Sequence, residues 1–302
     1  MSEAPSTSPV CYRHPSRETV LRCSRCEKPI CTSCMNEATV GHQCPDCVKE
    51  GRRGQRRALT AFGGDAAAGR AGYAVTGLVV VNCLVMVLSV AFGGLKSIAG
   101  SGGFMGLGGS GTRVTDALEV IGLAVYPDGA WHGVAHGEWY RLFTAMFVHY
   151  GVVHLLLNMM VLLQLGRYLE ARLGPIRFLA LYLLAGFGGN VACYLLTPQN
   201  QPSGGASTAV FGLIIGIIIV NRKLALDVRS LIPLLVVNVI FTFSIAGISK
   251  EGHLGGLLVG ALATIALVYP APPHRTVKQA IGWSVIFLAL VVLAVWRTTQ
   301  LT

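Results

Sequence analysis

The chain has 302 residues, 53% of them in the AVILMFWYC class and only 13% charged, against roughly 25% charge in an ordinary soluble domain. That balance excludes a collagen, a disordered chain and a secreted disulfide scaffold, and it places most of the chain in lipid. Basic residues outnumber acidic ones 24 to 14, yet the charges form no continuous patch of the kind that holds nucleic acid and sit where membrane topology places them.

The first segment in chain order is rich in cysteine. Seven of the nine cysteines fall between Cys11 and Cys47, while Cys83 and Cys193 stand alone in apolar runs. Ligand pairs recur with two residues between the members: Cys11 with His14, Cys23 with Cys26, Cys31 with Cys34, and Cys44 with Cys47. That spacing lets one tight turn offer two ligands to one ion, and four such knuckles supply two tetrahedral zinc sites. A cross-braced pairing is assigned, with Cys11, His14, Cys31 and Cys34 on one ion and Cys23, Cys26, Cys44 and Cys47 on the other. His42 stands as an alternative ligand to Cys44. Eight ligands close both sites, so the zinc is structural and none serves catalysis. The segment resembles a B-box-type zinc finger, with a Cys-Cys last pair where that family usually places histidines. A protein partner for this module is an open expectation.

No apolar stretch before a small-residue cleavage site occurs in the first forty residues, so no secretory signal is expected. The domain plan is a zinc module at residues 1–50, a basic, Gly-containing flexible linker at 51–70, and a membrane domain at 71–302.

Apolar runs long enough to matter lie at 71–92, 142–165, 178–196, 207–220, 231–247, 253–269 and 277–296. The fold class is therefore an all-α polytopic membrane protein of seven helices behind a small metal-stabilised domain. With the amino terminus inside, thirteen flanking basic residues fall on the inner side and five on the outer, as the positive-inside rule requires. The Cys-rich module is then cytosolic, and helices two, four and six all run from outside to inside. The stretch from Gly93 to Tyr140 is a long outer loop, with a Gly-rich piece at 100–111, a short interfacial helix at 114–125, and Trp131, Trp139 and Tyr140 as headgroup anchors.

Polar residues at membrane depth demand a reason. The second run carries His149, His154 and Asn158; at about 100° per residue, His154 and Asn158 share a face and His149 points elsewhere. The fourth run opens at Gly205-Ala206-Ser207-Thr208, and the sixth opens at His253 with Gly256 and Gly260 on the same face. Gly212 and Gly216 offer small positions to that groove. Packing these helices together brings Ser207 and His253 to one depth, as nucleophile and base.

Glu138-Trp139-Tyr140-Arg141, the His149, His154, Asn158 spacing, Gly205-Ala206-Ser207, and His253 with Gly256 and Gly260 resemble, in the same order, the motifs of rhomboid intramembrane serine proteases. The likeness covers about Gly72 to Tyr269, a six-helix core, with the seventh helix as an extension. It implies a Ser207–His253 dyad without an acidic third member. His154, Asn158 and the Ser207 backbone N–H would form the oxyanion hole, with Phe211 against the base and Arg141 and Glu170 in structural places. Thr208 departs from the Gly often found after the nucleophile. The resemblance implies cleavage of transmembrane protein substrates in the bilayer, near the outer face of a bacterial plasma membrane. Competing readings are a rhomboid-like pseudoprotease that binds or routes membrane proteins without cutting, and a small transporter. The first would lack nucleophile or base, and the second would carry charges along a transmembrane path.

Overall fold

The computed structural model describes residues 8–54, 58–99, 112–126, 129–245 and 247–302. The chain forms two compact units, Met1–Arg57 and Ala58–Thr302. Arg56 and Arg57, two of the thirteen basic residues counted on the inner side, and the Gly-rich piece at 100–111 lie outside the described residues.

In the first unit, β1 (Val10–Cys11) pairs antiparallel with β2 (His14–Glu18), and β3 (Asn36–Glu37) with β4 (His42–Gln43), ahead of α1 (Pro45–Gly54). These strands are too short to enclose a core of side chains. What is buried is mainly cysteine, with Ile30 between the knuckles. The knuckles are tight turns: Glu27 N–H donates to the Cys23 carbonyl at 2.8 Å with Glu27 at φ 61°, and Cys34 N–H donates to the Cys31 carbonyl at 2.9 Å.

Among the described residues, the second unit is helical apart from one short hairpin and isolated bridges. It opens with α2 (Ala66–Ala71), capped by Asp65, and α3 (Tyr73–Gly93), followed by α4 (Lys96–Ala99) and α5 (Arg113–Leu118). The hairpin is β5 (Ala124–Val125) with β6 (Trp131–His132), and α6 (Arg141–Thr144) leads into α7 (Val152–Val161). A π turn at Leu162–Gly166 joins α7 to α8 (Arg167–Leu173) as one span. Then come α9 (Pro175–Leu196), α10 (Ser207–Lys223), α11 (Leu231–Ser244), α12 (Lys250–Val268) and α13 (Arg275–Leu301). Five described helices are long and apolar enough to cross a membrane: α3, α7 with α8, α9, α12 and α13. α11 is apolar but shorter.

Three differences from the sequence reading have physical causes. The second span begins at Val152, not at 142. Gly151, at φ 140°, breaks the chain there, and residues 141–147 form a short helix and a 3-10 turn whose Leu142, Ala145 and Met146 are buried. His149 therefore precedes the helix, so its angle on a helical wheel has no meaning. The interfacial helix at 114–125 is only α5, because the chain from Val120 turns to pair with Ser203. In the stretch expected to be a flexible linker, residues 51–54 continue α1, and Gly64 and Gly69 lie against the backbone of 170–174 within the second unit.

The core of the second unit is α9, packed against α10 and α12. Backbones meet where side chains are missing. A Cβ on Gly256 would run into the Thr208 carbonyl, and one on Gly260 into Gly212 Cα. This small-residue groove draws α12 onto α10 close enough for their ends to share a site. Glu170, fully buried, accepts the Ala74 and Val75 N–H groups at 3.0 and 2.9 Å. It thereby satisfies the free donors at the start of α3.

Candidate active site and metal clusters

Ser207 is the first residue of α10, so its backbone N–H has no acceptor within the helix and is available to a ligand. The turn before it requires glycine: Gly205 sits at φ 142°, and a Cβ there would fall 3.1 Å from His154 Nε2 and 3.4 Å from Ser207 Oγ. Those two polar atoms therefore flank the same small space.

His253, on the first turn of α12 and buried, places Nε2 2.7 Å from Ser207 Oγ. Phe211, one turn into α10, stacks on its ring at 4.3 Å between centroids and 19° between planes. On the other side of the ring, His253 Nδ1 lies 2.8 Å from Thr242 Oγ1 of α11. His154 and Asn158 sit one turn apart on α7, with Asn158 Nδ2 donating to the His154 carbonyl at 2.9 Å. One amide proton is used there and the other is left for a second acceptor. A long hydrogen bond of 3.5 Å from Tyr150 N–H to His154 Nδ1 makes Nε2 the protonated nitrogen, hence a donor toward the Gly205 space. His149 is buried beside His154, with 5.0 Å between the two rings.

The loop between α3 and α7 braces this corner. Arg141, 1% exposed, donates through Nε to Glu138 at 2.7 Å and through Nη1 to the carbonyls of Asp116 and Glu119 at 2.6 and 3.0 Å. Glu138 is partly buried, which opposes its charge, but the His132 and Arg141 contacts outweigh that and hold its carboxyl below the usual range. Burial pushes Glu119 up to about 7, even though Tyr150 Oη donates to it at 2.8 Å. Backbone bonds of 2.9 Å in each direction join Val120 to Ser203, so the loop is stitched to the strand-like approach to Ser207.

The structure thus brings Ser207, His253 and His154 together, with Asn158 one turn along from His154. Thr242, Tyr150 and Glu119 were missed by sequence reasoning. A single hydroxyl in an apolar run carries no spacing signal, and Tyr150 and Glu119 meet only through tertiary structure.

In the first unit the ligand atoms of Cys11, His14, Cys31 and Cys34 lie within 4.8 Å of one another, and so do those of Cys23, Cys26, Cys44 and Cys47. His14 Nδ1 is 3.4 and 3.3 Å from the sulfurs of Cys31 and Cys34, and Cys26 and Cys44 sulfurs are 3.6 Å apart. Ligands about 2.0 to 2.3 Å from a tetrahedral zinc stand roughly 3.3 to 3.8 Å from each other, so both donor sets fit a metal ion by chemistry and by spacing. His42 belongs to neither set.

Residues 136–270 match the family model described as the Rhomboid domain. The chain is 38% identical over 142 residues to rhomboid protease GluP of Bacillus subtilis, covering 45% of this chain and 28% of that protein. It is 36% identical over 141 residues to YdcA of the same bacterium, covering 45% of this chain and 71% of that protein. RHOMBOID-like protein 4 of Arabidopsis thaliana shares 36% identity over 174 residues, covering 51% of this chain and 44% of the relative. The aligned region contains the helices that carry Asn158, Ser207 and His253, and on that similarity the chain belongs to the rhomboid family.

Proposed function

We propose that the chain is an intramembrane serine endopeptidase whose dyad is Ser207 and His253. The observation that carries the reading is the 2.7 Å contact between Ser207 Oγ and His253 Nε2, with the ring held by Phe211. His253 removes the Ser207 hydroxyl proton as Oγ bonds to a peptide carbonyl carbon. The electron pair displaced onto the carbonyl oxygen is met by Ser207 N–H, by His154 Nε2–H and by Asn158 Nδ2. The tetrahedral species collapses by breaking the C–N bond, and the proton on His253 passes to the leaving amine. Water, deprotonated by the same nitrogen, then releases the acyl group and restores Ser207.

The substrates are transmembrane segments of other proteins. The membrane domain carries seven helices, with α10 and α11 completing the five longer spans. The active site faces the outer side of a bacterial plasma membrane and the amino-terminal unit lies in the cytosol; the distribution of basic flanks supports this orientation. Each Cys/His set of the amino-terminal unit holds one structural zinc, which replaces the hydrophobic core that so short a segment cannot build.

The test is labelling of the purified protein by a serine-reactive fluorophosphonate, beside cleavage of a single-span substrate in liposomes. The wild type is expected to label and to cut, and Ser207→Ala to do neither. A folded wild type that fails to label would move the reading to a membrane protein that binds without cutting.

A further inference from the structure

Helix α11 makes little contact with the rest of the unit: Ile232, Val236, Ile240, Phe241 and Phe243 are all exposed, and Thr242 is its one buried residue. That residue touches the nitrogen of His253 that the dyad does not use. Thr242 Oγ1 lies 2.8 Å from His253 Nδ1 and also 2.8 Å from the carbonyl oxygen of Asn238, one turn earlier in α11.

A threonine hydroxyl has one proton to give. A carbonyl oxygen can only accept, so that proton goes to Asn238, and Oγ1 then faces Nδ1 with lone pairs alone. The contact is a hydrogen bond only if Nδ1 carries the proton. In a neutral imidazole the other nitrogen, Nε2, is then bare and accepts the Ser207 hydroxyl. Donation therefore runs in one direction, from Ser207 to His253, from His253 to Thr242, and from Thr242 to the backbone of α11.

We infer that Thr242 is a positioning residue, which holds His253 in the tautomer whose Nε2 is free to take the Ser207 proton and which accepts from the imidazolium formed when it does. This rests on the reading of Ser207 and His253 as nucleophile and base. It gives the dyad a neutral third member, donated by the least anchored helix. A carboxylate in this place would orient the ring by charge; a hydroxyl does so by geometry, and its acceptor capacity follows from the α11 backbone bond that takes its proton.

The test compares Thr242→Val, which keeps the shape and removes the hydroxyl, with Thr242→Ser, which keeps the hydroxyl. Each is purified as the full chain, reconstituted in liposomes and assayed on a single-span model substrate. Losing a hydrogen bond to a charged group in the transition state lowers kcat by about 10- to 100-fold, so Thr242→Val is expected to fall by that much with KM within about twofold, and Thr242→Ser to regain most of the rate. Nitrogen NMR of histidine-labelled protein, with His253→Gln to assign the signal, reads the ring directly. The wild type and Thr242→Ser should show Nδ1 protonated, and Thr242→Val a mixture of tautomers. An unchanged kcat in Thr242→Val, or equal losses in Val and Ser variants with an unchanged imidazole spectrum, overturns the inference. Cleavage surviving in Ser207→Ala would sink the dyad instead, and the spectrum would still decide whether Thr242 sets the tautomer.

Discussion

A side chain at position 205 has no room and no permitted backbone, because Gly205 combines φ 142° with the His154 ring 3.0 Å from where a Cβ would stand. Gly205→Ala is therefore expected to displace Ser207 or His154 and to reduce fluorophosphonate labelling at least as much as loss of His154 does. Ser207→Ala and His253→Ala should each end cleavage while leaving the thermal midpoint within a few degrees, since small apolar groups are tolerated at those depths. Asn158→Ala should retain measurable turnover, at a cost of about 2.7 to 4 kcal/mol in the barrier if it supplies one oxyanion donor; a kcat equal to that of Ser207→Ala would mean a larger role. Residues with a spacing were legible here: His154 and Asn158 four apart, and Ser207 and His253 at the mouths of glycine-bearing runs. Thr242 was not, because a hydroxyl in an apolar helix reads as one bonded to its own backbone. It is so bonded, and only the approach of α12 shows that its lone pairs have a second use.

At the scale of elements, contact between α10 and α12 depends on atoms that are absent. Gly256→Leu would drive a side chain into the Thr208 carbonyl, so it should part the two helices, lower the thermal midpoint and abolish labelling together. A Ser207→Ala protein, by contrast, loses only the label. Glu170→Ala would leave the buried Val75 N–H and the part-buried Ala74 N–H at the start of α3 unmet, at about 1 to 3 kcal/mol for the buried one, and calorimetry of the detergent-solubilised protein would read that loss. The loop between α3 and α7 adds a pH dependence. Glu119 is surrounded by Tyr150, Tyr126, Asp116 and Arg141, and burial raises its folded pKa to about 7 from 4.5. A raised pKa means that the fold prefers the protonated form. Its contribution is complete below about pH 4.5 and is lost as pH rises through about 7. Stability should fall between about pH 4.5 and 7 in the wild type, level off above about 7, and be flatter across that window in Glu119→Gln, as thermal unfolding at each pH would show. Helix boundaries were the least legible part of the sequence. The apolar run from Leu142 to Leu165 carries no Asp, Glu, Lys or Arg to interrupt it, yet Leu142, Ala145 and Met146 face a protein interior, and periodicity cannot tell a core from a lipid phase.

For the whole molecule, two units of different physics lie on one chain. The first buries two Cys-rich clusters that could hold metal ions, and the second packs apolar helices. Removing the metal with a chelator should unfold residues 8–54, seen as loss of protease resistance, and leave the unfolding of Ala58–Thr302 unchanged. Elemental analysis should return two ions per chain, and one ion would contradict the cross-braced pairing. The clustering of these side chains into two groups was legible because four knuckles of equal spacing leave few choices. Which strands would form between them was not, since two-residue pairings leave no periodic trace.

The second unit also ties its end to its beginning. Gln279 Nε2, on α13, donates to the Phe62 carbonyl at 3.1 Å, and Arg275 Nη1 donates to the Ala61 carbonyl at 2.7 Å, across more than two hundred residues of sequence. Contacts of such separation form late in folding. A growing polypeptide that has just finished Ser207 still lacks its base, 46 residues ahead, and lacks the clasp that follows it. During synthesis, then, every nascent chain that ends between Ser207 and His253 carries the serine hydroxyl without the imidazole that faces it, and the pair assembles only once α12 has been made.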